Sequence, residues 1–269
     1  MIEFTKLHGN GNDFILIDEM DNTQILDDKK PEFAVKYCNR RFGIGADGVL
    51  FISKSKKADI KMRLFQEDAS EPEMCGNGIR CLVKYAFDKG YIDLNSNNIS
   101  VETLAGILTV SLQKKEEELW IKVNMEKPFN YNKYNLHGLE VYSLNTGVPH
   151  TVIFVEDFKF SIMDIAPKIR YDSTFEQYNG TNVNFAKVIS KEKIEIRTYE
   201  RGVEAETLSC GTGSVAAAFV AHMLGKVNSK SIIKTKGGIL NISIENDIAF
   251  MEGTATTVFR GTIDDNEIL

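Results

Sequence analysis

The sequence has no apolar run of the roughly 18 residues that a membrane-spanning helix needs. It has no basic stripe, one tryptophan, five prolines and only four cysteines in 269 residues. The first absence excludes a helical membrane anchor. The second, with a net charge of −6, argues against nucleic acid as a partner, because phosphate binding leaves a clustered Lys/Arg footprint. Four cysteines in so long a chain do not make the disulfide framework of a small secreted domain. The opening residues, Met1-Ile2-Glu3-Phe4-Thr5-Lys6, carry neither the basic nor the apolar segment of a secretory signal and look like a strand. Reduced thiols and a cytoplasmic location are therefore expected. Cys75 and Cys81 lack the spacing of zinc ligands and no His cluster accompanies them, so no metal is expected.

What is present is an ordinary globular composition, 43% apolar and 26% charged, long enough for one large domain or two of usual size. Within it, two peptides are near copies: Met74-Cys75-Gly76-Asn77-Gly78 and Ser209-Cys210-Gly211-Thr212-Gly213. The likeness extends outward. Ile60-Lys61-Met62-Arg63-Leu64-Phe65 precedes the first and Ile194-Glu195-Ile196-Arg197-Thr198-Tyr199 the second. Ala105-Gly106-Ile107-Leu108-Thr109-Val110 and Gly237-Gly238-Ile239-Leu240-Asn241-Ile242 follow in turn. Chance recurrence of turn sequences does not put a strand, a cysteine loop, an apolar helix and a Gly-turned strand in one order twice. The chain reads as a duplication, with two homologous lobes and an approximate twofold axis.

Alternation predicts strands at 60–65, 107–112, 120–125, 193–199 and 239–244. The short apolar runs Val49–Ile52 and Val152–Val155 predict buried strands. Three helices are expected. One starts at Pro31 and ends before Gly43. A second follows Cys75, with Ile79, Leu82, Val83 and Ala86 on one face, and stops at Gly90. A third, Val215 to Leu224, is apolar nearly all round and so should be buried. Asn130 to Asn135 is polar enough to be a loop. The expected class is α+β, each lobe a curved mixed or antiparallel sheet wrapped around a central helix. The lobes are placed at 1–118 and 119–257, with a last strand at 258–269 returning to the first.

Only the thiolate of cysteine is a useful base. A helix's first turn offers unpaired N–H groups and a positive dipole end, which favour that thiolate. The glycines that follow let another molecule approach the backbone, and the same N–H groups can hold a carboxylate. Two such peptides supply a base, an acid and cradles for one carboxylate, which suits moving a proton from one face of a carbon to the other. Cys38 and Cys81 sit within expected helices and read as small core hydrophobes.

These residues closely resemble the diaminopimelate epimerase family, which carries one Cys-Gly-x-Gly motif per lobe. The resemblance spans essentially the whole chain. It includes His8 to Phe14, Arg41 to Gly48, Met74 to Cys81, Gly180-Thr181-Asn182-Val183-Asn184-Phe185, and Tyr199 through Gly213. It implies a cofactor-independent enzyme, commonly a homodimer, that interconverts L,L- and meso-diaminopimelate for lysine and peptidoglycan synthesis. In the L,L to meso direction it implies Cys75 as proton donor and Cys210 as acceptor, with His150 assisting. It makes Asn12 a substrate-binding amide and Gly76-Asn77 and Gly211-Thr212 the carboxylate cradles. Asn182, Glu200 and Arg201 become ligands of the substrate's polar groups. Glu200, ahead of its cysteine loop, echoes Gln66-Glu67 in the first half and is taken with the catalytic set as well.

Each role has a plainer counterpart. Glu200-Arg201 also fits a solvated surface pair, His150 a hydrogen-bonded loop histidine, and Asn12 and Asn182 turn residues. The chain departs from the family pattern at three places: Gln66 and Val148 replace asparagines, and one residue is added between Arg201 and Cys210. All three fall around the expected pocket for the substrate's distal group, so Gln66 is kept as a binding residue while the substrate's identity stays open. The alternatives are a two-thiol racemase for another amino acid and a non-catalytic binding protein of the same fold. Asn77, where proline racemases carry His, and the charged Glu200-Arg201 weigh against the first. The presence of both cysteines weighs against the second. Thiol–disulfide exchange lacks its Cys-x-x-Cys pair.

Overall fold

The structure is a computed structural model that describes residues 1–95 and 98–264. Two compact units divide the chain. One comprises Met1–Val123 and a returning segment from Gly253; the other is Asn124–Glu252.

In the first unit, β1 (Ile2–Gly9) and β2 (Asn12–Glu19) form a hairpin around Asn10-Gly11. Both turn residues have positive φ, 55° and 84°, the geometry that an Asn-Gly pair takes up readily. Next come α1 (Lys30–Cys38), β3 (Gly48–Ser53), β4 (Ile60–Gln66), α2 (Gly76–Asp88), β5 (Ile99–Thr103), β6 (Gly106–Lys115) and β7 (Glu118–Asn124). Along the sheet, β1 is antiparallel to β2, β2 parallel to β3, β3 antiparallel to β4 and β4 parallel to β5; β5, β6 and β7 are antiparallel.

The second unit holds β8 (Phe129–Leu136), β9 (Leu139–Asn145), β10 (Pro149–Phe154), α3 (Ile162–Arg170), β11 (Asn182–Ser190) and β12 (Lys193–Glu200). It continues with β13 (Ala205–Thr207), α4 (Gly211–Met223), β14 (Lys230–Thr235), β15 (Gly238–Glu245) and β16 (Ile248–Gly253). Its sheet repeats the first: β9 antiparallel to β10, β10 parallel to β11, β11 antiparallel to β12, β12 parallel to β14, then antiparallel β15 and β16. Finally β17 (Thr256–Ile263) lies antiparallel along β1 in the first unit, as β8 lies along β9 in the second. Residues 265–269, the end of the strand expected over 258–269, lie outside the described residues.

Among the described residues each unit carries two α-helices in matching places. In the first, α1 packs Phe33, Ala34 and Cys38 against Ile15, Ile17, Val49 and Phe51. In the second, α3 packs Ile162, Ala166 and Ile169 against Ile153, Val183 and Phe185. Burial of each such large side chain contributes roughly 1.5–3 kcal/mol. The other helices are the buried ones: α2 buries Ile79, Cys81, Leu82, Val83 and Ala86, and α4 buries every residue from Val215 to Ala221. The fold is thus the α+β class expected.

Three local readings need correction. Asn130–Asn135 is not a loop; it lies in β8, an edge strand held by backbone pairing to β9 with its side chains largely exposed, so no apolar alternation marks it. The helix α3 has no counterpart in the sequence reading, although the duplication calls for one opposite α1. And α1 stops at Cys38, short of the expected end. The side chain of Asn39 takes the N–H groups of Arg41 and Phe42, both at 2.9 Å, and turns the chain out of the helix. Gly43 then folds back so closely that a Cβ would lie 2.6 Å from the Lys36 carbonyl oxygen.

Candidate active site

Both motif cysteines are the N-cap residues of buried helices. Cys75, extended at φ −144°, precedes α2, and its sulfur accepts from the Gly78 N–H at 3.4 Å. Cys210, extended at φ −114°, precedes α4. Their carbonyls start the helical ladder, accepting from Ile79 and Ser214 respectively, each at 2.9 Å. The second glycine of each motif sits in close quarters. A Cβ on Gly78 would press on Leu50 at 3.3 Å, and one on Gly213 would run into Asn184 Oδ1.

Around Cys75 the first unit gathers Asn12 and Asn77. The hairpin turn sets Asn12 at the start of β2, where its Oδ1 lies 3.7 Å from Cys75 Sγ and accepts from Asn77 Nδ2 at 3.2 Å. Asn12 Nδ2 donates to Asp47 at 2.6 Å. Arg80, fully buried in α2, donates to Asn77 Oδ1 at 2.5 Å, Asn10 Oδ1 at 3.1 Å and the Thr254 carbonyl at 2.7 Å. Burial lowers the Arg80 guanidinium to about 10, which leaves it charged at neutral pH. Gln66, at the end of β4, instead closes a turn: Ser70 Oγ donates to its Oε1 at 3.0 Å.

Around Cys210 the second unit gathers Thr212 and His150. Thr212 Oγ1 is 3.4 Å from Cys210 Sγ and 2.9 Å from His150 Nε2. His150 is wholly buried in β10, and desolvation, aided by the charge of Arg201, pushes it down to about 3. It is a neutral imidazole at any physiological pH. Asn184 Nδ2 reaches His150 Nδ1 at 3.1 Å and the Thr151 carbonyl at 2.8 Å, while Thr198 Oγ1 donates to Asn184 Oδ1 at 3.0 Å. A recess of about 80 Å³ opens beside His150, between Asn132, Pro149, Tyr178 and Thr181.

Asn182, Glu200 and Arg201 lie at the neighbouring strand ends. Asn182 ties β10 to the chain leaving β12: Nδ2 donates to the Pro149 carbonyl and Oδ1 accepts from the Arg201 N–H, both at 2.9 Å. The half-buried Arg201 guanidinium donates to the Tyr178 carbonyl at 2.6 Å. Glu200 ends β12, opposite Ala205. Asp47, Arg80, Asn184 and Thr198 were not singled out from sequence. The signal for Asn184 was there: period two puts it on the same strand face as Asn182, with Thr198 its cross-strand partner.

Among the described residues no group of three His, Cys, Asp or Glu side chains could hold a metal ion, and no helix is long and apolar enough to cross a membrane. Cys38 and Cys81 are buried as small hydrophobes, with burial pushing the Cys38 thiol up to about 12 and the Cys81 thiol higher still.

The sequence profile of diaminopimelate epimerase matches residues 4–130 and 142–258. A diaminopimelate epimerase of Methanothrix thermoacetophila is 52% identical over 280 residues, covering 100% of this chain and 98% of that protein. One of Methanocella arvoryzae is 52% identical over 277 residues, covering 98% and 97%. Among solved structures, a PhzF-family phenazine biosynthesis protein of Bacillus anthracis gives a TM-score of 0.74 at 16% identity, covering 98% of this chain and 99% of that one, a likeness of fold alone. The profile runs through both cysteine loops and the relatives match end to end, so the chain belongs to the diaminopimelate epimerase family.

Proposed function

We propose that this protein is an isomerase that interconverts L,L- and meso-diaminopimelate without a cofactor, using two cysteine sulfurs. The observation that carries the reading is the pair of cysteine-capped buried helices, one per unit, in a chain of this family. An α-proton is weakly acidic, and its removal shifts charge toward the neighbouring carboxylate. Backbone N–H groups of Gly76, Asn77, Gly211 and Thr212, in the first helical turns, suit that developing charge. Inversion needs proton removal on one face and delivery on the other. In the L,L to meso direction Cys210 takes the α-proton and Cys75 returns one, and the reverse reaction swaps them.

His150 and Asn12 assist at the two sulfurs. Asn77, Asn182 and Gln66 offer amides, while Glu200 and Arg201 suit the ammonium and carboxylate of a charged distal group. The protein works in the cytoplasm as a homodimer, following the family habit. A second reading, a two-thiol racemase for another amino acid, draws on Val148 and on Gln66, whose side chain is engaged by Ser70.

Incubation with L,L-diaminopimelate in deuterated water should place solvent deuterium at the α-carbon and yield the meso form. Label appearing only with another amino acid would overturn the substrate and leave the chemistry. No label with any amino acid across a broad panel would overturn both.

A further inference from the structure

The chain leaving β12 turns back at once, and three charged side chains come together there: Arg170, Arg201 and Glu204. The Glu204 N–H closes the turn on the Glu200 carbonyl at 2.9 Å, with Glu204 itself at a positive φ of 55°. Its Oε1 accepts the Gly202 N–H at 3.0 Å and two donors of Arg170, Nη2 at 2.8 Å and Nε at 3.2 Å. Burial would raise the Glu204 carboxyl, but the Gly202 N–H and the Arg170 guanidinium outweigh it and hold it below the usual carboxylate range. Glu204 is therefore an anion at neutral pH.

Arg170 ends α3 and is 5% exposed. Its Nη1 donates to the Asn179 carbonyl at 2.8 Å. Arg201 gives its own Nη1 to the preceding carbonyl, that of Tyr178, at 2.6 Å. The two guanidiniums thus grip consecutive carbonyls where the short 3₁₀ helix Ser173–Tyr178 ends, a place where cationic side chains satisfy the last carbonyls. Asn179 and Gly180 have positive φ there, 53° and 84°, and a side chain on Gly180 would run into the Arg170 guanidinium. The seat of Arg170 is built into the turn.

One acid serves two arginines, and the pairing is one-sided. Glu204 is in contact with Arg170, whereas Arg201 has no carboxylate within ion-pair distance among the described residues. Burial lowers the Arg201 guanidinium, repulsion from Arg170 lowers it further, and the charge of Glu204, felt at longer range, offsets part of this. A guanidinium withdrawn from water is ordinarily matched by an anion. Were Glu204 to supply that match, nothing would be left for a ligand.

Resting on the reading of Arg201 as the ligand of a distal carboxylate, we propose that Arg170 is a positioning residue that holds Glu204 away from Arg201 and so keeps the Arg201 guanidinium open to the carboxylate at the substrate's far end. The arrangement selects for an anionic far end, because a neutral one would leave Arg201 half-buried and unmatched.

Arg170→Gln should free Glu204 to pair with Arg201, raising KM for L,L-diaminopimelate about tenfold or more with kcat little changed. Removing the intruding charge as well, in Arg170→Gln/Glu204→Gln, should return KM to within about threefold of the native value. A purely structural role for Arg170 would give no such rescue. Glu204→Gln alone, whose amide oxygen still accepts from Gly202 and Arg170, should leave KM near native. In a crystal structure of the Arg170→Gln protein, the Glu204 carboxylate should lie within hydrogen-bond distance of the Arg201 guanidinium. An unchanged KM in Arg170→Gln, a double variant no better than the single one, a tenfold rise in Glu204→Gln, or a Glu204 still clear of Arg201 would each overturn the inference. No deuterium label in diaminopimelate with the native protein, alongside a Glu204 that crosses to Arg201 in the variant, would sink the epimerase reading and spare this exchange of partners. Labelling alongside a Glu204 that stays put would do the reverse.

Discussion

Gly213 has no room for a side chain, because Asn184 Oδ1 occupies the place a Cβ would take. Gly213→Ala should push Asn184 off His150, lower stability by about 1–3 kcal/mol in urea unfolding and depress turnover together. On the proposed mechanism, replacing either sulfur removes an acid–base partner. Cys75→Ala or Cys210→Ala should cut racemisation by roughly 10²–10⁴-fold or more while the circular dichroism stays unchanged, and an unaffected rate would discharge that sulfur from the chemistry.

His150 makes a separate claim on pH. Its folded value, about 3, lies below the ordinary 6.5, so between these limits the unfolded chain binds more protons than the folded one. Stability from this group is therefore full above pH 6.5 and falls as the medium is acidified, by roughly 2 kcal/mol on reaching pH 5. His150→Gln should lack that slope in urea titrations. Asp13 does not confuse the reading. Burial raises it, but Arg40 and Lys6 outweigh that and hold it at about 2, so its window lies below 3.8. At this scale the sequence exposed the two cysteines, because a duplicated peptide marks them. It left Asp47, Arg80 and Asn184 unmarked, since ordinary residues become positioning groups only once strand register and helix packing bring them to a partner.

Among elements, α2 was legible from apolar periodicity and α4 from a run apolar nearly all round, each with a glycine stop, and both begin at the motif itself. Leu82→Ala, fully buried in α2, should cost about 2–5 kcal/mol in chemical denaturation, with loss of the helix that carries Cys75 at its cap. The paired strands flanking each helix were equally plain, from β4 and β12 to β6 and β15. The edge strand β8 was not, because its exposed, polar residues are held by backbone bonds that leave no side-chain signature. The case of α3 differs. Pro167 stands inside it, yet its place between β10 and β11 repeats that of α1 between β2 and β3.

For the molecule as a whole, the internal duplication was the most informative signal in the chain, and the sheets bear it out strand for strand. Both units run antiparallel, parallel, antiparallel, parallel and then antiparallel through their central strands. What the repeat did not convey was the counterpart of that returning strand: β8 opens the second unit in sequence and lies along β9, whereas β17 comes after the second unit and lies along β1. That asymmetry has a consequence for biosynthesis. A ribosome delivers every strand of the later-made half before it delivers the last strand of the earlier one, so the N-terminal half must wait, with β1 paired only to β2, until residues 256–263 emerge. Nascent chains stalled with Gly253 just outside the exit tunnel should resist protease across 124–252 and be cut within 1–123.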